Sequence, residues 1–122
     1  MAAPNIVNVT SIYGKTMGAA LGTSANTDIL TCPSDKVLKI NSIVVANVDG
    51  GSSADVTVSF YDNSATARYN LAHTVNVPGG STLVVIGKDS PIYLEEGDQI
   101  EASASAASDL EMIISYEELD DA

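Results

Sequence analysis

The chain has 122 residues, a length that fits one domain with one hydrophobic core. Five Lys and Arg face sixteen Asp and Glu, which gives a net charge of −11. Residues 1–88 hold five bases and five acids, whereas residues 89–122 hold eleven acids and no base. Nucleic acid is therefore a poor partner, because phosphate binding needs clustered Lys and Arg. The acidic region either faces a basic protein surface or serves as a solvated surface.

The start of the chain lacks the basic segment and apolar run of a secretory signal, and no stretch approaches the length of a membrane span. We therefore expect synthesis in the cytoplasm and no membrane contact. The lone Cys32 has no partner for an internal disulfide. It is expected to be a small buried apolar residue.

Alternation of apolar and polar residues divides the chain into nine short runs of strand character. Turns rich in Gly, Asp, Asn and Ser separate them, and each gap has the length of a hairpin connection. The predicted strands are 5–12, 27–32, 36–48, 54–61, 67–77, 82–87, 91–95, 98–104 and 109–117. The sequence thus predicts an all-β fold, a single antiparallel β-sandwich domain over 1–122. A jelly-roll and an immunoglobulin-like strand order both remain open.

The same alternation assigns faces to individual strands. In 54–61, Phe60 falls on the apolar side and is predicted to anchor the core. In the last strand, Ile113 interrupts an otherwise polar face and is a candidate contact residue. The run 40–46 is apolar on both faces, which suits a central strand, a bulge, or a strand buried by a neighbouring subunit.

Residues 14–26 are mostly small and show no clear period, so we predict an N-terminal arm or long loop that becomes ordered on a neighbour. Residues 118–122 form a short acidic tail, which either ends the last strand or stays mobile. The residues predicted to contact partners lie in the arm and on the last strand: Lys15, Thr16, Met17, Ile113, Glu117 and Glu118.

Catalytic and metal-binding motifs are missing from the sequence. There is no Gly-x-Ser-x-Gly motif, and the single His73 lies on an apolar parity, which predicts a packed histidine. No short ligand spacing joins His73 to Cys32. We therefore expect neither an enzyme nor a cofactor. Glu95, Glu96 and Asp98 share one turn and are candidate calcium ligands, with a plain β-turn as the alternative.

The stretch from Ser90 to Ala104, SPIYLEEGDQIEASA, and the stretch from Asp109 to Glu118, DLEMIISYEE, resemble small structural proteins of tailed bacteriophages, particularly those of marine and cyanobacterial hosts. The shared pattern is an apolar strand, a Glu-Glu-Gly-Asp turn, an alternating strand, an Ala/Ser-rich turn and a final strand. It covers roughly residues 75–118. No functional residue is carried over, because such proteins share a scaffold and no catalytic motif.

The resemblance implies a virion component present in many copies. The expected role is that of a capsid decoration (cement) protein on the capsid exterior, made in the host cytoplasm. Its expected partners are the major capsid protein and further copies of itself, as a homotrimer. A neck, tail or fibre component and a calcium-dependent carbohydrate-binding module stay open as alternatives.

Overall fold

The computed structural model describes Val7 and residues 9–120, which form nine β-strands in two antiparallel sheets. The strands are β1 (Ser11–Ala20), β2 (Thr27–Thr31), β3 (Lys36–Asn47), β4 (Ala54–Asp62), β5 (Ala67–Val77), β6 (Thr82–Ile86), β7 (Ile92–Leu94), β8 (Gln99–Ala104) and β9 (Leu110–Asp120). The predicted all-β sandwich is confirmed, and β2 to β9 lie where the alternation predicts them. Within the described residues, no helix is long and apolar enough to cross a membrane.

Strand order identifies the type of sandwich. The five-stranded sheet runs β1-β9-β3-β6, with β7 also paired to β3, and the four-stranded sheet runs β2-β8-β4-β5. The hairpin of β4 and β5 is innermost, and β3 with β6, β2 with β8 and β1 with β9 wrap around it as nested antiparallel pairs. Alternate pairs fall in alternate sheets, which is the jelly-roll wrap and not the immunoglobulin-like order.

The core fills the space between the two sheets with aliphatic side chains. Its largest fully buried members are Leu38, Ile40, Ile43, Leu94, Ile100, Leu110, Met112 and Ile114. Phe60 is only partly buried and packs against the margin of this cluster. In β3 the pairing with β9 shifts between Ile40 and Ser42, so the core side chains change parity there. The run that is apolar on both faces is therefore both a central strand and a bulged one.

The predicted arm is largely strand, which corrects that prediction, whereas the start of the predicted acidic tail ends the last strand, one of the two outcomes that the sequence left open. Residues 14–20 belong to β1, and 118–120 extend β9, to which β1 is paired in continuous register. An edge strand is held by backbone hydrogen bonds from its neighbour, so small side chains do not prevent it. Only residues 21–26 of the arm form a loop. The predicted first strand, 5–12, meets β1 only at its end, and residues 5, 6 and 8 lie outside the described residues, as do 121 and 122.

His73 is exposed, so the prediction of a packed histidine is wrong. Val56 pairs with Val75 and Val58 pairs with Ala72, which leaves two residues of β5 opposite the single Thr57. This bulge turns His73 outward, and it places Thr74 at a φ of 47°. Parity along a strand cannot be extended across such an inserted residue.

Candidate interaction surface

The six residues predicted to contact partners come together on the paired strands β1 and β9. In register, Thr16 lies opposite Ser115 and Met17 opposite Ile114, one pair away from Gly18 opposite Ile113. These positions are about a hundred residues apart in the chain, and the jelly-roll wrap makes them neighbours. The structure thus unites the two predicted segments at one edge of the five-stranded sheet.

The two faces of that sheet divide the six residues. Lys15, Met17 and Glu118 lie on the side of the core, where Met17 packs against the core cluster. The Nζ atom of Lys15 is 3.1 Å from Oε1 of Glu118, whose side chain is largely buried. These two charges satisfy each other within the chain. The remaining residues, Thr16, Ile113 and Glu117, point to the outer face.

The outer face of the five-stranded sheet carries an apolar row that crosses four strands. Gly18 of β1 pairs with Ile113 of β9, Ile113 pairs with Val44 of β3, and Val44 pairs with Val84 of β6. Ile113 is 48% exposed and Val84 is 60% exposed. The flanking outward residues on the same strands are mostly small or uncharged: Thr16, Ala20, Ser42, Ala46, Thr82 and Ser115. We call this surface, from Gly14 to Ala20 on β1 across to Thr82 and Val84 on β6, the five-stranded outer face.

Charge is sparse on the five-stranded outer face. Its charged side chains are Lys39, Glu111 and Glu117, one base and two acids, in a chain whose net charge is −11. Lys39 and Glu117 are register partners on β3 and β9, near the end where Gly14 and Tyr93 complete the same row. Most of the negative charge therefore lies elsewhere on the molecule, in the turns and on the other sheet.

The outer face of the four-stranded sheet is polar, and its side chains bond to one another. The Arg68 guanidinium binds the buried carboxylate of Glu101 through two hydrogen bonds. Its Nη2 donates to Oε2 at 3.1 Å, and its Nε donates to Oε1. Hydrogen bonding to this carboxylate raises the pKa of Arg68. The same guanidinium lies 5.2 Å from the centre of the Tyr61 ring. At the far end, Asn76 Nδ2 donates to Asp55 Oδ1 at 3.1 Å. This face is internally satisfied.

An apolar groove opens at the side of the sandwich, between β5 and β7. Its lining residues are Phe60, Tyr69, Leu71, Ile92 and Tyr93, and its volume is about 170 Å³. Half of the six aromatic residues of the chain meet there. Sugar sites combine aromatic faces with several convergent polar groups. This lining is almost entirely apolar, so it fits an apolar side chain better than a sugar.

The carboxylates predicted as calcium candidates close a turn. Asp98 is buried, and its Oδ1 and Oδ2 accept the backbone N–H groups of Asn63 and Glu95, each at 2.9 Å. Glu96 Oε1 accepts the backbone N–H of Asp35 at 2.8 Å, whereas Glu95 is exposed. Within residues 7 and 9–120, no three His, Cys, Asp or Glu side chains are placed to hold a metal ion. The contacts are those of the β-turn alternative.

Cys32 is buried, as the sequence predicts, between the end of β2 and the start of β3. Its Sγ donates to the backbone carbonyl of Lys36 at 3.3 Å. Burial raises the pKa of the thiol to about 11, so it stays protonated at neutral pH. A protonated, buried thiol is a poor nucleophile.

The apolar row was missed at the sequence level except for Ile113. Gly18, Val44 and Val84 lie on three strands that are far apart in the chain, and only the register brings them into one line. One signal for it existed: the run 40–46 is apolar on both faces, which marks Val44 as an apolar residue on the side away from the core. The aromatic groove left no comparable signal.

Chains of similar fold occur in solved structures, including two from viruses. A chain in a structure described as the acidic stable capsid structure of Helicobacter pylori bacteriophage KHP30 is 10% identical, with a TM-score of 0.54 over 93% of this chain and 91% of that chain. A chain in a structure described as the triple jelly roll fold and turret assembly in an archaeal virus is 16% identical, with a TM-score of 0.55. That match covers 92% of this chain and 30% of the archaeal virus chain. No protein-family model and no curated protein matches the sequence. At these identities the likeness establishes the jelly-roll fold.

Proposed function

We propose that this protein is a virion structural component, and specifically a capsid decoration protein that binds the assembled major capsid shell from outside. The observation that carries the proposal is the near-complete match, in both directions, to a chain in a phage capsid structure. The resemblance of residues 75–118 to tailed-phage structural proteins supports the same class.

The surface chemistry supports binding to protein and not catalysis. Every buried side-chain nitrogen or oxygen in the described part of the chain has a hydrogen-bond partner, so none is left aimed at a small ligand. His73 is exposed and Cys32 is a buried, protonated thiol. Exposed apolar side chains stand on the sheets and edges instead, as in surfaces that another protein covers. We infer a non-enzymatic role.

A decoration protein stabilises a shell by mass action. Each copy that buries surface across a seam between subunits binds the assembled shell and not the separated subunits, so it shifts the equilibrium towards assembly. No covalent step or cofactor is required. The acidic turns suit seams lined with basic residues, because opposite potentials speed encounter and fix orientation.

The test is to mix the purified protein with undecorated capsids and to count its copies in virions. We expect co-sedimentation at micromolar concentration, and a copy number on the order of hundreds per particle by quantitative mass spectrometry against the major capsid protein, as repeated lattice sites require. Capsids that fail to retain the protein at micromolar concentration contradict the proposal.

A neck, tail or turret component is the second candidate. It is favoured by the match to a chain in a structure that describes a turret assembly. A component at a single neck or tail site of low cyclic symmetry is present in about a dozen copies or fewer per particle, and a turret component in that number for each turret. The same mass-spectrometric count separates the two roles, since a shell lattice needs far more copies.

A further inference from the structure

We propose that the five-stranded outer face is a self-association surface, on which two copies of this chain stack face to face about a two-fold axis parallel to the strands. This contact goes beyond binding to a shell, because it joins two copies of the same protein and needs no capsid. It rests on the charge, the register and the area of that face.

The charge distribution selects a second copy as the occupant. Two chains of net charge −11 repel each other across most approaches. The five-stranded outer face carries one base and two acids, so it is a surface on which two copies meet with little repulsion. Its central row, from Gly18 to Val84, has no charged residue. A strongly basic partner would find more complementary charge on the turns than here.

The register makes this face self-complementary. A two-fold axis parallel to the strands places β1 of one copy over β6 of the other and β9 over β3, because the sheet order is β1-β9-β3-β6. Residues of one row then meet residues of the same row. The exposed Val84 lies over Gly18 of the second copy, and Ile113 lies over Val44 of the second copy. A valine thus faces a glycine at each end of the row, and branched apolar side chains face each other at its centre, as in the interior of stacked sheets.

The same two-fold axis also brings the charged residues of the face together in pairs. Lys39 on β3 and Glu117 on β9 are register partners, so the axis sets Lys39 of each copy over Glu117 of the other. Among the ion pairs of the described residues, none uses either side chain within the chain. Two intermolecular pairs therefore form at one end of the contact, where they fix the direction of stacking.

The area of the face is sufficient for a stable pair. Over the whole outer side of this sheet, the strands β1, β9 and β3 and the shorter β6 and β7 hold 41 residues, which at about 3.3 Å by about 4.8 Å each give about 650 Å² per copy. Two copies bury about 1,300 Å², within the range of specific protein interfaces. The homotrimer implied by the sequence resemblance needs two different surfaces that fit each other, whereas one self-complementary face closes as a pair.

The first test measures the mass of the full chain in solution by size-exclusion chromatography with light scattering, at micromolar concentration and about 0.15 M salt, where exposed charges are screened beyond about 8 Å. We expect twice the 12.6 kDa of one chain. Val84→Asp should give the single-chain mass, because it buries a carboxylate opposite Gly18 of the second copy. Tyr69→Asp is the matched control, since Tyr69 is 59% exposed and lies on the groove instead. It should keep the paired mass.

The second test exchanges the charges of the proposed intermolecular pairs. Lys39→Glu and Glu117→Lys should each raise the dissociation constant of the two-copy complex about tenfold, because each change turns two ion pairs into two repulsions. The double variant should recover wild-type association, and circular dichroism confirms that each variant is folded. A wild-type monomer, a trimer, or loss of pairing in Tyr69→Asp and not in Val84→Asp overturns the proposal. Because no capsid is present, these outcomes leave the decoration role to its own test.

Discussion

The two outer faces of this sandwich are built from the same kind of alternating strands, yet one carries polar side chains and the other apolar ones. On the four-stranded sheet, the outward side chains bond to one another, and both Arg68 and Ser59 donate hydrogen bonds to the Glu101 carboxylate. On the five-stranded sheet, Ile113 and Val84 stand in an uncharged row with no polar partner across from them. The polar face is therefore satisfied by contacts within one chain, whereas the other face exposes apolar surface of the kind that a second protein covers.

The largest effect separates the inner and outer sides of one strand. Ile114 is fully buried and its neighbour Ile113 is 48% exposed. Ile114→Ala should lower the free energy of unfolding by about 2–5 kcal/mol, because it removes core contacts and leaves a cavity. Ile113→Ala should cost less than about 1 kcal/mol in the isolated chain. Urea unfolding followed by circular dichroism measures both, and equal losses would contradict the assignment of faces.

A second change tests whether the polar face is stabilised by its own pairs. Arg68→Ala leaves the buried carboxylate of Glu101 without its guanidinium, so we expect a lower melting temperature, a smaller change than that of Ile114→Ala. Adding Glu101→Gln should restore part of the loss, because an uncharged amide costs less to bury. If the double variant is no more stable than Arg68→Ala, the carboxylate does not depend on Arg68.

The alternation of apolar and polar residues predicted the strands well, because each strand buries one of its faces and the buried residues here are mostly aliphatic. It failed where the chain departs from period two or has few side chains to bury. The bulge opposite Thr57 reversed the expected side of His73. Residues 14–20 read as an arm because Gly and Ala carry little pattern, although the backbone of β9 holds them in a sheet.

The contact surface was predictable only in part. Ile113 was identified because it breaks a polar face within one strand, a local signal. Val84 and Lys39 belong to the same surface through the register of β3 with β6 and β9, which no single segment records. The order of strands decided which exposed residues share a face, and the sequence left two strand orders open.

A third, smaller effect comes from the buried thiol of Cys32, which makes the stability of the fold depend on pH. Burial raises the pKa of Cys32 from 9.0 to about 11, so the folded state holds the thiol proton more tightly than the unfolded chain. This contribution is complete below pH 9 and is lost as the pH rises towards 11. Melting curves at pH 8 and pH 10 should show a larger drop for the wild type than for Cys32→Ala. Equal drops would mean that the thiol is not held protonated by the fold.

The smallest effect concerns the apolar row itself. Val84→Thr keeps the shape of a β-branched side chain on an exposed strand, so the unfolding free energy of the isolated chain should change by no more than about 0.5 kcal/mol. Val45→Thr is the matched control on the neighbouring strand, where a fully buried hydroxyl should cost about 1–3 kcal/mol. Urea titrations at low protein concentration measure both variants. A large loss in Val84→Thr would mean that Val84 supports the fold, and the contrast between the two outer faces would then reflect packing within one chain.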